Sequence, residues 1–150
     1  MVPPDRKRAD ETVRPGQPAD RAALTRIQEA LAEPSPALLS AALDATGTDG
    51  PLVVLVRVAG GDPVGYTVVV AGPSVYVPEL AVDPAHHREG HGSALVAALR
   101  ERFDARELRL TVAVTDDRAR AFYRSQGFER VDKLTDHFES GDALVLVLSP

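Results

Sequence analysis

The sequence predicts an α/β fold in a single domain, and two stretches carry that prediction. Residues 80–114 run from an apolar strand through a Pro break and a Gly-x-Gly turn into a long amphipathic helix, then out into a second strand. A strand that returns to its sheet through a helix lies parallel to the first, with a right-handed crossover. Further back, two β-branched runs flank Ala59-Gly60-Gly61-Asp62-Pro63, residue types that close a hairpin, so an antiparallel pair is expected there. With 150 residues the chain can bury about 70% of the surface it exposes when unfolded, and it is too short for a second sizeable core.

Taken in order, residues 1–10 are polar, contain Pro3 and Pro4 and carry the basic run Arg6-Lys7-Arg8, which predicts a disordered tail ahead of a domain spanning 11–150. A short strand is expected at 12–14. Asp20 is placed to cap a helix bearing Leu24, Ile27 and Leu31 at helical spacing, and Ser35-Pro36 to start another with Leu38, Leu39 and Leu43 on one side. The hairpin strands are 52–58 and 64–70. A third strand, 75–82, contains Pro78, which has no N–H for a ladder and predicts an edge, a bulge or broken pairing. Glu79 is then either re-aimed into a pocket or an outward carboxylate alternating with Leu80. In the helix after Gly92, the residues Leu95, Val96, Leu99 and Phe103 share a face. A strand at 108–114, a helix capped by Asp116 or Asp117 and ended by Gly127, and strands at 128–131 and 143–148 complete the order.

Composition narrows the chemistry. Without cysteine there is no disulfide, thiolate nucleophile or Cys-based zinc site, and four histidines lacking a HExxH spacing argue against a metal. A net charge of −5 argues against general nucleic-acid affinity. No apolar run approaches the roughly 20 residues that span a bilayer, and the N-terminus has charge with no apolar core behind it, so a cytoplasmic, membrane-free protein is expected.

Gly90 and Gly92 enter the long helix, where unpaired first-turn N–H groups can converge on an anion. A phosphate-bearing ligand is the leading inference, with a purely structural strand-to-helix turn as the alternative. Leu95 stands where a dinucleotide turn needs its third glycine, and no Gly-Lys-Ser/Thr ending makes a Walker loop.

Two motifs then go together: Val82-Asp83-Pro84-Ala85-His86-His87-Arg88-Glu89-Gly90-His91-Gly92, and Ala119-Arg120-Ala121-Phe122-Tyr123-Arg124-Ser125-Gln126-Gly127-Phe128. With this element order they resemble the GNAT superfamily of acetyl-CoA-dependent N-acetyltransferases, nearest to its ribosomal-protein N-terminal acetyltransferase branch. The resemblance implies a central mixed, mostly antiparallel sheet, splayed at a parallel strand pair and flanked by about four helices. It implies acetyl-CoA as cosubstrate, with the pyrophosphate on the segment His87, Arg88, Glu89, Gly90, His91, Gly92 and Ser93, and the pantetheine arm along Leu80, Ala81 and Val82. His87 stands where the family usually has Arg or Gln. With a reference imidazole value of about 6.5, His87 and His91 are expected either to strengthen coenzyme binding as pH falls or to be solvated loop residues.

Tyr123 matches the family's general acid, against the alternative of a core aromatic with a satisfied hydroxyl. Glu79 is the candidate base, acting directly or through water. Asp116 falls where many members have Asn and is expected chiefly as a helix cap. Thr111 replaces the glutamate of the N-terminal acetyltransferase branch, while His137 and Phe138 resemble that branch's hairpin and are candidates to line the acceptor site. The expected activity is direct acetyl transfer to a primary amine, of a peptide N-terminus or a small molecule, by a monomer or homodimer. The alternative is a non-catalytic acyl-CoA-binding or sensing module.

Overall fold

The computed structural model describes residues 11–150, so the expected tail over 1–10 lies outside the described residues. Strand β1 (Thr12–Pro15) leads through a 3-10 turn (Pro18–Asp20) to helices α1 (Arg21–Gln28) and α2 (Pro36–Asp44). Strands β2 (Leu52–Ala59), β3 (Asp62–Val70) and β4 (Ser74–Val82) follow, then a second 3-10 turn (Pro84–His86) and α3 (His91–Arg102). Strand β5 (Glu107–Ala113), helix α4 (Asp117–Ser125), and strands β6 (Glu129–Phe138) and β7 (Gly141–Leu148) close the chain. The strands form one sheet in the order β1-β2-β3-β4-β5-β7-β6, antiparallel throughout except for the parallel β4–β5 pair. This is the mixed, mostly antiparallel sheet that the resemblance implied.

Both faces of the sheet are covered, which is why the central strands read as continuous apolar runs. On one face α3 and α4 bring Val96, Leu99, Phe103 and Tyr123 onto Val69, Val77, Leu110 and Leu146. On the other, α1 and α2 set Leu24, Ile27, Leu39 and Leu43 on Val54, Val56, Tyr66 and Val68. Each fully buried leucine contributes about 1.5–3 kcal/mol.

The feature that positions the site is the way β4 and β5 part. Their ladder holds only from Ser74 to Tyr76 against Glu107 to Arg109. On the other side of β4 the register with β3 passes from Val70↔Tyr76 to Val68↔Glu79, so Val77 and Pro78 together oppose Val69. That extra residue is a bulge, at the proline that cannot donate to a ladder. It exchanges the faces of the strand: Val75 and Val77 lie in the α3–α4 core, whereas Ala81 lies in the α1–α2 core.

Several local expectations need correction. Asp20 does not cap α1: its carboxylate accepts from both terminal nitrogens of Arg14 at 2.8 and 2.9 Å and from the Gln17 N–H at 2.8 Å, which ties β1 to the turn. Ser35 makes no side-chain cap on α2. Strand β4 is internal to the sheet rather than an edge. Strand β6 runs to Phe138, well past the expected end at 131, because an edge strand carrying Glu129, Arg130, Asp132, Lys133 and Asp136 shows no apolar alternation. Those charges also guard the edge against pairing with another chain.

Candidate active site

Beyond β4, Asp83 accepts the Ala85 N–H at 3.0 Å and turns the chain toward α3. Arg88 and Gly90 then adopt left-handed φ values of 66° and 84°, and the first bond of α3 runs from the Ala94 N–H to the Gly90 carbonyl. The N–H groups of His91, Gly92 and Ser93 therefore lack partners within the helix and project from its positive end. The two glycines serve different purposes. Gly90 needs its φ, since a Cβ there meets nothing within 4 Å. Gly92 needs its lack of a Cβ, which would come 2.9 Å from Cζ of Phe122; here glycine lets α3 pack on α4.

The rings of His87 and His91 are each engaged by another part of the chain. The Nε2–H of His87 reaches the Val82 carbonyl at 2.9 Å, so the ring folds onto β4. His91 is buried rather than solvated, at 2% exposure. Its Nδ1 accepts from the Nε–H of Arg57 at 3.1 Å, and Arg57 in turn donates to Glu11 at 3.1 Å. Because the guanidinium always donates, the ring hydrogen of His91 sits on Nε2, which is buried without a hydrogen-bond partner among the described residues. Glu89 lies 3.5 Å from that atom and 3.4 Å from Nδ1 of His86. The bond to His86 holds the Glu89 carboxyl below the usual range. The ligand atoms of His86, Glu89 and His91 lie within 4.8 Å of one another, as a metal site requires. A metal, however, needs the Nε2 lone pair while the opposite nitrogen donates its hydrogen, and Arg57 imposes the reverse.

A cleft of about 380 Å³ runs from this loop along Leu80, Ala81 and Val82 to Phe122 and Tyr123. It adjoins a hollow of about 240 Å³ between the α1–α2 loop, the splayed strands and the β6–β7 hairpin. Leu31, Leu80, Asp116 and Tyr123 line both, so the two form one groove with Tyr123 at the seam. Tyr123 is 9% exposed and packs edge-on against Phe122 and Phe128, with ring centroids 5.2 and 5.3 Å away. Burial first, and then the charge of Asp116, push its hydroxyl above the ordinary phenol range, so it keeps its proton. Asp116 caps α4 by accepting the Ala119 N–H at 3.1 Å, as expected.

Glu79 is not an outward carboxylate. It is 2% exposed and faces the α1–α2 helices. Its oxygens accept from Gln28 Nε2 at 2.9 and 3.1 Å, the Tyr66 hydroxyl at 2.9 Å and the Ser35 N–H at 2.6 Å. Burial and the facing carboxylate push Tyr66 well above its ordinary value.

His137 and Phe138 close the far wall of the hollow from the end of β6 rather than from a loop, their rings edge-on at 4.7 Å. The Ser140 hydroxyl hydrogen-bonds the Glu33 carboxylate and so joins the hairpin to the α1–α2 loop. Three participants escaped the sequence reading. Tyr76 enters the hollow with its hydroxyl 3.3 Å from that of Thr111, Leu31 forms part of both walls, and Arg57 orients His91 from β2. Only Tyr76 left a signal, two residues before the bulge-forming proline.

The chain is similar to several known proteins. The chain is 32% identical over 112 residues to the mycothiol acetyltransferase of Streptomyces coelicolor, a match covering 61% of this chain and 35% of that protein. It thus spans about a third of the length of that relative. The crystal structure of Ard1 from Thermoplasma volcanium superposes with a TM-score of 0.79 at 26% identity, covering 93% of this chain and 97% of that one. The ribosomal-protein-S18-alanine N-acetyltransferase of Escherichia coli shares the fold, with a TM-score of 0.77 at 23% identity over 93% of each chain. Residues 50–130, more than half of the sequence, match the acetyltransferase (GNAT) domain, and the chain belongs to that family.

Proposed function

We propose that this chain transfers an acetyl group from acetyl-CoA to a primary amine, and the observation that carries the proposal is the groove opened where β4 and β5 part. One arm of the groove ends at free N–H groups of a helix start, the other at an aromatic hollow, and Tyr123 stands between them. The diphosphate binds the amides of His91, Gly92 and Ser93 with Arg88 beside it, and the pantetheine arm lies along Leu80–Val82. The amine nitrogen attacks the thioester carbonyl, the carbon–sulfur bond breaks, and the departing sulfur takes the proton of the Tyr123 hydroxyl, which solvent restores. The amine gives its own proton to water in the hollow. That route suits an α-amine, whose reference value is about 8, better than a lysine side chain at about 10.4.

The engaged Glu79 carboxylate favours a second reading, a module that binds acyl-CoA without turnover. Incubation with acetyl-CoA and a panel of N-terminal peptides and small amines, following free thiol and acetylated product, tests both. Acetylation of any amine above the buffer rate establishes catalysis. Coenzyme A binding by calorimetry with no product from any acceptor leaves the binding module. ATP competing as well as coenzyme A would overturn both.

A further inference from the structure

We infer that Glu79 is a positioning residue that clamps the α1–α2 loop as a wall of the groove, and that the amine's proton does not pass to it. The inference rests on the transferase reading above for its kinetic arm, and on the geometry of the carboxylate for the rest. A carboxylate offers about four acceptor positions. At Glu79 three donors hold both oxygens within 3.1 Å: the Gln28 amide nitrogen, which bridges the two, the Tyr66 hydroxyl on one and the Ser35 N–H on the other. Glu79 borders the hollow, but with both oxygens engaged and 2% exposure its carboxylate is turned to these donors and not to an incoming amine.

The identity of the donors gives the carboxylate its work. Gln28 is the last residue of α1, and Ser35 immediately precedes α2. One side chain from β4 therefore grips both ends of the intervening loop, whose Leu31 and Ala32 line both cavities and whose Glu33 lines the hollow. Ser35 has no side-chain cap of its own, and the negative Glu79 carboxylate at the start of α2 supplies the acceptor and the charge that a helix N-terminus favours. The bulge at Val77-Pro78 is what turns Glu79 onto this face. Tyr66 fastens the clamp to the neighbouring strand.

Glu79→Gln tests this. The amide keeps one acceptor oxygen but sets an NH2 where the other accepted, against Gln28 and either Tyr66 or Ser35, which now donate there. Amide hydrogen exchange should speed up at least about tenfold across residues 29–35 and stay unchanged at 88–93, with coenzyme A affinity retained. Unchanged exchange in the loop would overturn the clamp. In kinetics with acetyl-CoA and the most active peptide of the panel, KM for the peptide should rise about tenfold, with kcat within threefold and the acid limb of the pH profile in place. A hundredfold fall in kcat at constant KM, with loss of that limb, would instead make Glu79 the base. Tyr66→Phe removes a single donor and should show the same pattern more weakly, which keeps the question open to measurement if Glu79→Gln does not fold. If wild type acetylates nothing, the transferase reading fails while the exchange result still decides the clamp.

Discussion

The two arms of the groove, on the proposed reading a donor arm for the coenzyme and an acceptor arm for the amine, are built by opposite means. From Leu80 to Ser93 one continuous stretch supplies the strand, the turn and the helix start, so the donor arm is a matter of local backbone geometry. The acceptor arm gathers Leu31 to Ser35, Tyr76 to Glu79, Thr111 and His137-Phe138 from remote parts of the chain. It holds its shape only through long-range contacts, such as those of Glu79 with Gln28 and Ser35 and of Ser140 with Glu33. On that reading the first arm would keep one ligand while the second is remodelled for different acceptors.

The largest effect belongs to the seam. Tyr123→Phe removes a hydroxyl that makes no hydrogen bond among the described residues, so packing against Phe122 and Phe128 is kept. Steady-state kinetics should show kcat falling by about 100-fold or more. Calorimetry should show an unchanged Kd for coenzyme A. A loss confined to Kd would move Tyr123 out of the seam and into the donor arm. The pH dependence sharpens the same point. An acid must be protonated to act, and burial together with Asp116 raises the Tyr123 hydroxyl above its usual value of about 10. The proton is therefore retained as pH rises, and kcat should not decline between neutrality and about pH 10. A basic limb near pH 8 that Tyr123→Phe abolishes would contradict this assignment.

Within the donor arm the two glycines should separate. In Gly92→Ala the new Cβ meets the Phe122 ring at 2.9 Å, and that ring is held against Tyr123, so α3 and α4 are forced apart at a cost of about 1–3 kcal/mol. In Gly90→Ala nothing is struck, but a left-handed φ of 84° costs about 1–2 kcal/mol and the strain falls on the turn that aims the N–H groups. Thermal melts should therefore show the larger loss for Gly92→Ala. Coenzyme A affinity, relative to stability, should suffer more in Gly90→Ala. Equal ratios in the two variants would mean that the glycines are not divided between packing and conformation.

The same contrast governs what the sequence disclosed. Pro78 announces a break because a missing N–H is a property of one residue, and Asp116 announces a cap because its partner, Ala119, lies three residues on. Glu79 could not be placed in this way, since Gln28 and Ser35 stand 51 and 44 residues before it. Asp20 had the local credentials of a cap, yet the Arg14 guanidinium offered a stronger, charged partner across the first turn. The burial of His91, which the sequence offers only as a coenzyme contact or a solvated loop residue, is hidden because nothing nearby reveals Arg57 on β2. The length of strand β6 is not legible in the sequence because an edge strand buries almost nothing and so needs no apolar pattern. Local chemistry was legible, whereas polar residues whose fate is decided by a distant partner were not.

The smallest effect is the one that tests whether the arms are independent. Ser140→Ala removes the hydroxyl that links the β6–β7 hairpin to Glu33, a contact at the exposed rim of the hollow. At an exposed site such a bond contributes about 0.5–1 kcal/mol, and the groups released are rehydrated rather than left unpaired. Thermal melting should hardly change. The hairpin and the α1–α2 loop should part slightly, raising KM for the acceptor about two- to fivefold while coenzyme A affinity stays constant, because no residue of the segment from Leu80 to Ser93 touches this link. If Ser140→Ala weakened coenzyme A as much as acceptor, the hairpin would be coupled to the phosphate loop through residues common to both walls, such as Leu31 and Tyr123, and the groove would have to be treated as one site with a single shape.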